Sequence, residues 1–191
     1  SQKPTDPTQG TKPGEIEDTK PVDPTEGTTS HPENTVETPI TMEDITQAMD
    51  NASGNVISFS TGDIDNRSFK ISADAMQLAV DNGCVLSLEF PANVNIQVGE
   101  DILKNLNGIT SGEDVLISVT PQPFSALNEA QQKAMEGWGL GWLLDIELTA
   151  GGASVHKLGG KAQITFPNKD INEDWTVLYL AEDGTVEVMD I

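Results

Sequence analysis

The sequence predicts a mainly β domain, an antiparallel sandwich with two or three short helices, carried behind a disordered Thr/Pro/acidic stalk. Three observations predict it. Residues 1–40 hold seven of the chain's 11 Pro and nine Thr, with only Ile16, Val22, Val36 and Ile40 as sizeable apolar side chains, too few to bury a core. Further on, short runs alternate apolar and polar positions with the period of a half-buried strand. Between the later runs stand closely spaced turn signals, Gly151-Gly152, Gly159-Gly160 and Glu182-Asp183-Gly184, which suit antiparallel strands better than the long crossovers of a parallel sheet.

Residues 1–40 repeat a loose theme, Lys3-Pro4-Thr5-Asp6-Pro7-Thr8 and Lys20-Pro21-Val22-Asp23-Pro24-Thr25. Proline there favours extended, solvated, polyproline-like backbone. Such a Thr/Pro/Glu tether is typical of bacterial surface proteins and multi-modular secreted enzymes. The folded domain is expected over 41–191, with 41–55 as its lead-in.

Met42, Ile45 and Met49 share one helical face behind a Thr41 cap, which reads either as a short helix or as a lead-in turn. Val56-Ile57-Ser58-Phe59-Ser60 and Ser68-Phe69-Lys70-Ile71 read as strands around the Thr61-Gly62-Asp63 and Asp65-Asn66 turns. Ser72 caps a helix whose Ala75, Met76, Ala79 and Val80 recur at helical spacing, and Asn82-Gly83 stops it. Val85 to Phe90 and then Val94, Ile96 and Val98 form a hairpin across Pro91. Gly99-Glu100-Asp101 opens another helix, with Ile102, Leu103 and Leu106 inward and Asn107-Gly108 closing it. Val115, Ile117 and Val119 make the next strand. Asn128 and Gln131 resemble a capping box for a turn of helix through Met135. Leu140, Trp142, Leu144, Ile146 and Leu148 are in phase, as are Ala162, Ile164 and Phe166, then Val177 and Tyr179, then Val186 and Val188. That phase assigns Trp142 and Tyr179 to the core.

The 191 residues carry 10 Lys and Arg against 31 Asp and Glu, a formal charge of -21. The stalk contributes -5 and the remainder -16. A surface of this sign repels nucleic acid and anionic lipid, so neither nucleic-acid binding nor membrane insertion is expected, and self-repulsion favours a monomer. No apolar run approaches the roughly 20 residues of a membrane-spanning helix. The single Cys84 sits among Val85, Leu86 and Leu88 and reads as a small buried hydrophobe with no disulfide partner.

Phe69-Lys70-Ile71-Ser72-Ala73-Asp74-Ala75-Met76-Gln77-Leu78-Ala79, Val85-Leu86-Ser87-Leu88-Glu89 and Asn95-Ile96-Gln97-Val98 with Ile102-Leu103 together resemble a β-rich module repeated in Gram-positive cell-surface and secreted proteins. In such proteins the module stands beside surface-layer homology or bacterial Ig-like domains. Asp114 to Val119, Asp145 to Leu148, Leu158 to Pro167 and Trp175 to Gly184 fit the same pattern, so the likeness covers roughly 68–191. It implies an Ig-like β-sandwich at the cell surface or cell wall, acting as spacer, adhesion or protein-interaction domain, and it carries no catalytic motif. In similar modules a further strand follows the last hairpin; this sequence ends at Ile191 without it.

The residues themselves name no reaction. There is no Gly-x-Ser-x-Gly elbow, and the two histidines, His31 in the stalk and His156 beside a Gly-Gly turn, offer little to a Ser/His/Asp arrangement. Carboxylate pairs of glycosidase type arise by chance among so many acids. Asn168, Asp170, Asn172 and Asp174 alternate as hard oxygen donors of the kind Ca²⁺ takes, but the Gly and distal Glu of a hand-type loop are missing. Asp170, Asn172 and Asp174 are the candidate metal residues, against an ordinary polar loop; no other cofactor is expected. Gly137, Gly139 and Gly141 follow a helix and lead into a strand, the reverse of a dinucleotide fingerprint. Trp138, between Gly137 and Gly139, is the candidate carbohydrate contact: an exposed indole can stack on a sugar face, though it can equally lid the core. The sequence thus predicts a non-catalytic extracellular module, with a carbohydrate-binding module as the alternative.

Overall fold

The structure, a computed structural model, describes residues 37–62, 65–110, 112–139, 141–166 and 176–189. It is mainly β. The strands are β1 Glu37–Ile40, β2 Val56–Ser60, β3 Ser68–Ile71, β4 Val85–Phe90, β5 Val94–Val98, β6 Val115–Pro121, β7 Leu144–Ala150, β8 Ala153–Ser154, β9 Gln163–Thr165, β10 Leu178–Leu180 and β11 Val186–Val188. The helices are α1 Met42–Asn51, α2 Ala73–Asp81, α3 Glu100–Thr110 and the short α4 Glu129–Ala134.

A first sheet runs in the order β1-β3-β6-β7-β8 and a second in the order β2-β4-β5-β9, while β10 and β11 pair only with each other. The two larger sheets share one core. Phe69 of the first meets Phe90 of the second edge to face, with ring centroids 5.1 Å apart at 81°, an arrangement aromatic quadrupoles favour. Around that pair lie Ile40, Ile57, Ile71, Leu86, Leu88, Ile96, Val98, Val115 and Ile117 from the strands, with Ile45, Met76, Ile102, Leu103 and Leu106 from the helices.

Pairing departs from the antiparallel expectation at two places. β1 runs parallel to β3, matching Ile40 with Ile71, and β2 runs parallel to β4, matching Val56 with Val85. The remaining pairs are antiparallel. The reason lies in a threefold use of one unit. In β1-α1-β2 and β3-α2-β4 a strand of the first sheet leads through a helix to a strand of the second; β5-α3-β6 returns from the second sheet to the first. A buried aliphatic residue closes the first strand each time, Ile40, Ile71 and Val98. Helices that cross from sheet to sheet let equivalent strands of successive units lie side by side and parallel, a result that hairpin spacing does not foretell.

Local signals explain each helix. Thr41 and Asp44 form a complete capping box at α1, so the lead-in holds a helix over Met42–Asn51, followed by the loop of residues 52–55. Ser72 Oγ accepts from the Ala75 amide to start α2, and Gly83 follows with φ 60°. α3 runs on through Gly108 to Thr110, beyond the expected stop, and Asn107 Nδ2 donates to Gln77 Oε1 of α2 at 2.8 Å. β1 lies upstream of the expected start at 41, and its Ile40 is 1% exposed.

The last third differs most from expectation. Every fully buried residue among those described lies between Ile40 and Val119. Trp142 and Tyr179, assigned to the core by phase, are 51% and 57% exposed. Alternation identifies which side chains share a face, but burial needs a second layer over that face. Trp142 precedes β7, and the β10–β11 hairpin adds to neither large sheet.

Candidate interaction surface

Two regions carry the functional candidates. The first is the turn between α4 and β7. Asn128 caps α4, and Gln131 completes the box by returning to the Asn128 amide. The helix is tied to the β10–β11 turn: Asn128 Nδ2 donates to the Glu182 carbonyl at 2.9 Å, and Gln131 Nε2 to the Ala181 carbonyl at 3.3 Å. The chain then turns at Gly137, where φ is 93°, and delivers Trp138, whose amide donates to the Met135 carbonyl at 3.1 Å. Trp138 is 41% exposed, so its indole is available to solvent and does not seal the core.

The candidate metal residues Asp170, Asn172 and Asp174, with Asn168 beside them, lie outside the described residues. Among the described residues no three His, Cys, Asp or Glu side chains are grouped to hold a metal ion. His156 stands exposed beyond β8. Cys84 is buried, and burial pushes its thiol above the ordinary value, the direction that suppresses nucleophilic thiolate.

The second region was not singled out by sequence. β1 and β2 are the terminal strands of the two sheets, and α1 bridges them. The Asn55 carbonyl accepts from Val85 N at 2.8 Å, and Thr61 N donates to the Glu89 carbonyl at 3.1 Å. In a parallel ladder both backbone groups of a residue point the same way and alternate along the strand. The N–H and C=O groups of Val56, Ser58 and Ser60 therefore project away from β4, over the outer edge. By the same rule the Ile40 carbonyl, accepting from Ser72 N at 3.0 Å, leaves Glu37 and Pro39 on the outer edge of β1.

Alongside β2 runs an open groove of about 490 Å³ lined by Asp44, Gln47, Ala48, Asn51 and Ala52 of α1 and the 56–59 stretch of β2. Its floor is apolar, with Ala48, Ala52 and Phe59 packed on the core. Its helix wall carries one carboxylate, Asp44, beside the amides of Gln47 and Asn51, and that carboxylate is held in place: Thr41 N and Oγ1 donate to Asp44 Oδ2 at 2.8 and 2.6 Å. The Thr41 hydroxyl, then its backbone amide, hold the Asp44 carboxyl below the ordinary carboxylate range.

No family model, curated protein or solved structure matches the chain. No helix among the described residues is long and apolar enough to cross a membrane.

Proposed function

We propose that this chain is a non-catalytic extracellular module of a Gram-positive surface or secreted protein, serving as a spacer, adhesion or protein-interaction domain. The observation that carries this reading is the solvent-facing edge of β2 beside the α1 groove, where the outward backbone donors and acceptors of Val56, Ser58 and Ser60 stand next to an apolar floor and the Asp44 carboxylate. The Pro- and Thr-rich residues 1–40 support a tether, and the charge of -21 supports a solvated monomer outside the cell. Within this reading the two facing sheets form a sandwich of the Ig-like class, supported by the shared core and the antiparallel β3-β6-β7 and β4-β5-β9 runs. The parallel β1–β3 and β2–β4 pairs are its departure from that class.

A carbohydrate-binding module is the second reading, favoured by the exposed Trp138. A glycan array probed with the full 191-residue chain separates the two. The expected outcome is no retention; retention that Trp138→Ala abolishes would establish the carbohydrate reading instead.

A further inference from the structure

We propose that the outer edge of β2 and the groove between β2 and α1 accept an extended, cationic segment of a partner protein as an added strand. This rests on the protein-interaction reading and deepens it by naming the partner's chemistry.

The two terminal strands on this side are treated differently. Solvent-facing edges invite pairing and are commonly blunted by proline or charge. On β1 the outward positions are Glu37 and Pro39, a charge and a residue with no N–H to offer. On β2 they are Val56, Ser58 and Ser60, all exposed and none charged or proline, so this edge keeps its donors and acceptors. Among the described residues no strand lies beyond it.

The groove suits what an added strand brings. Main-chain bonds to an edge supply affinity, while pockets for alternate side chains supply selectivity. Side chains on the inward face of the incoming strand would rest on Ala48, Ala52 and Phe59, and one near the α1 wall would meet the Asp44 carboxylate, with the Gln47 and Asn51 amides beside it. From residue 37 to 60, spanning β1, α1 and β2, there are four acids and no Lys, Arg or His; Glu37 lies 3.9 Å from Lys70 of β3, which leaves Glu43, Asp44 and Asp50 of α1 as the local negative charge. That charge selects the occupant. A second copy paired edge to edge would bring the same acids together on chains of -21 each, and the stalk sequence is rich in proline and acid. A Lys- or Arg-bearing β-prone segment meets neither obstacle.

The test titrates the full, ¹⁵N-labelled chain with a capped seven-residue peptide of alternating Lys and Val. Expected are saturable binding and slowed exchange of the Val56, Ser58 and Ser60 amides. The same peptide N-methylated at alternate residues keeps its charge but cannot complete the ladder, and should bind at least about tenfold more weakly. A Glu-for-Lys version should not bind. Ser58→Pro removes an outward N–H that β4 does not use, and should weaken the parent peptide by about tenfold or more; if that variant misfolds, the N-methylated peptide still decides. No binding, or binding indifferent to N-methylation, would overturn the proposal, the latter reducing it to diffuse charge attraction. Concentration-dependent dimerisation lost in Ser58→Pro would overturn it in favour of a second copy. The glycan array is read separately: Trp138-dependent retention sinks the interaction reading whatever the peptide does, whereas a silent array without peptide binding sinks only strand addition.

Discussion

Asp44 closes the start of α1 from both sides, accepting from the Thr41 amide and hydroxyl while its own amide donates to Thr41 Oγ1 at 3.3 Å. These bonds favour the ionised carboxylate, so its folded-state pKa lies below the ordinary value of 3.8. A carboxyl lowered on folding adds stability above its unfolded pKa, and that contribution is lost as pH falls through the folded value. Urea unfolding at pH 7 and again below pH 3.8 should therefore show a larger acid loss for the native chain than for Asp44→Asn. Thr41→Ala should cost about 0.5–2 kcal/mol at neutral pH, the usual worth of an N-cap. This cap was readable in the sequence because every partner lies within three residues. Trp142 and Tyr179 were misread for the complementary reason: their exposure depends on what lies across from them, and local phase holds no record of that.

At the scale of elements, β2 to β6 and α2 fall where the apolar pattern puts them, since period and turn residues act over a few positions. What the pattern left out is which strands become neighbours. The parallel β1–β3 and β2–β4 pairs follow from helices that carry the chain between sheets, and unequal loops of residues 52–55 and 82–84 obscure the repeat. For the same reason the β2 groove was invisible, although an uncharged, proline-free Val56 to Ser60 run beside the proline of β1 was its available signal. The β10–β11 hairpin depends on α4. At Gly184, φ is 83° and an added Cβ would stand 2.7 Å from the Ala130 carbonyl oxygen. Gly184→Ala should then cost about 1–2 kcal/mol from the left-handed backbone alone and more from the collision. Hydrogen exchange should quicken across residues 178–188 in that variant while residues 85–119, which hold much of the buried core, keep their protection.

Over the whole molecule the charge is -21, and the described residues include three ion pairs that oppose it locally. Lys70 lies 3.9 Å from Glu37 and 3.6 Å from Asp114, joining β1, β3 and the approach to β6, and Lys104 lies 2.5 Å from Glu100. All are substantially exposed, where such pairs contribute little. Self-repulsion should therefore dominate the salt response: calorimetry should show the melting temperature rising as NaCl is increased past about 0.1 M, where the screening length shrinks to about 10 Å. A falling melting temperature would mean that the ion pairs outweigh the repulsion. The sheet-switching units also impose an order on synthesis. Each unit gives one strand to each sheet, so none can finish a layer by itself. The β4–β5 hairpin can close as soon as it emerges, but β3 finds its antiparallel partner only when β6 has followed. A chain leaving a ribosome thus holds one edge of β3 unpaired until about fifty residues later, an edge open to mispairing in that interval.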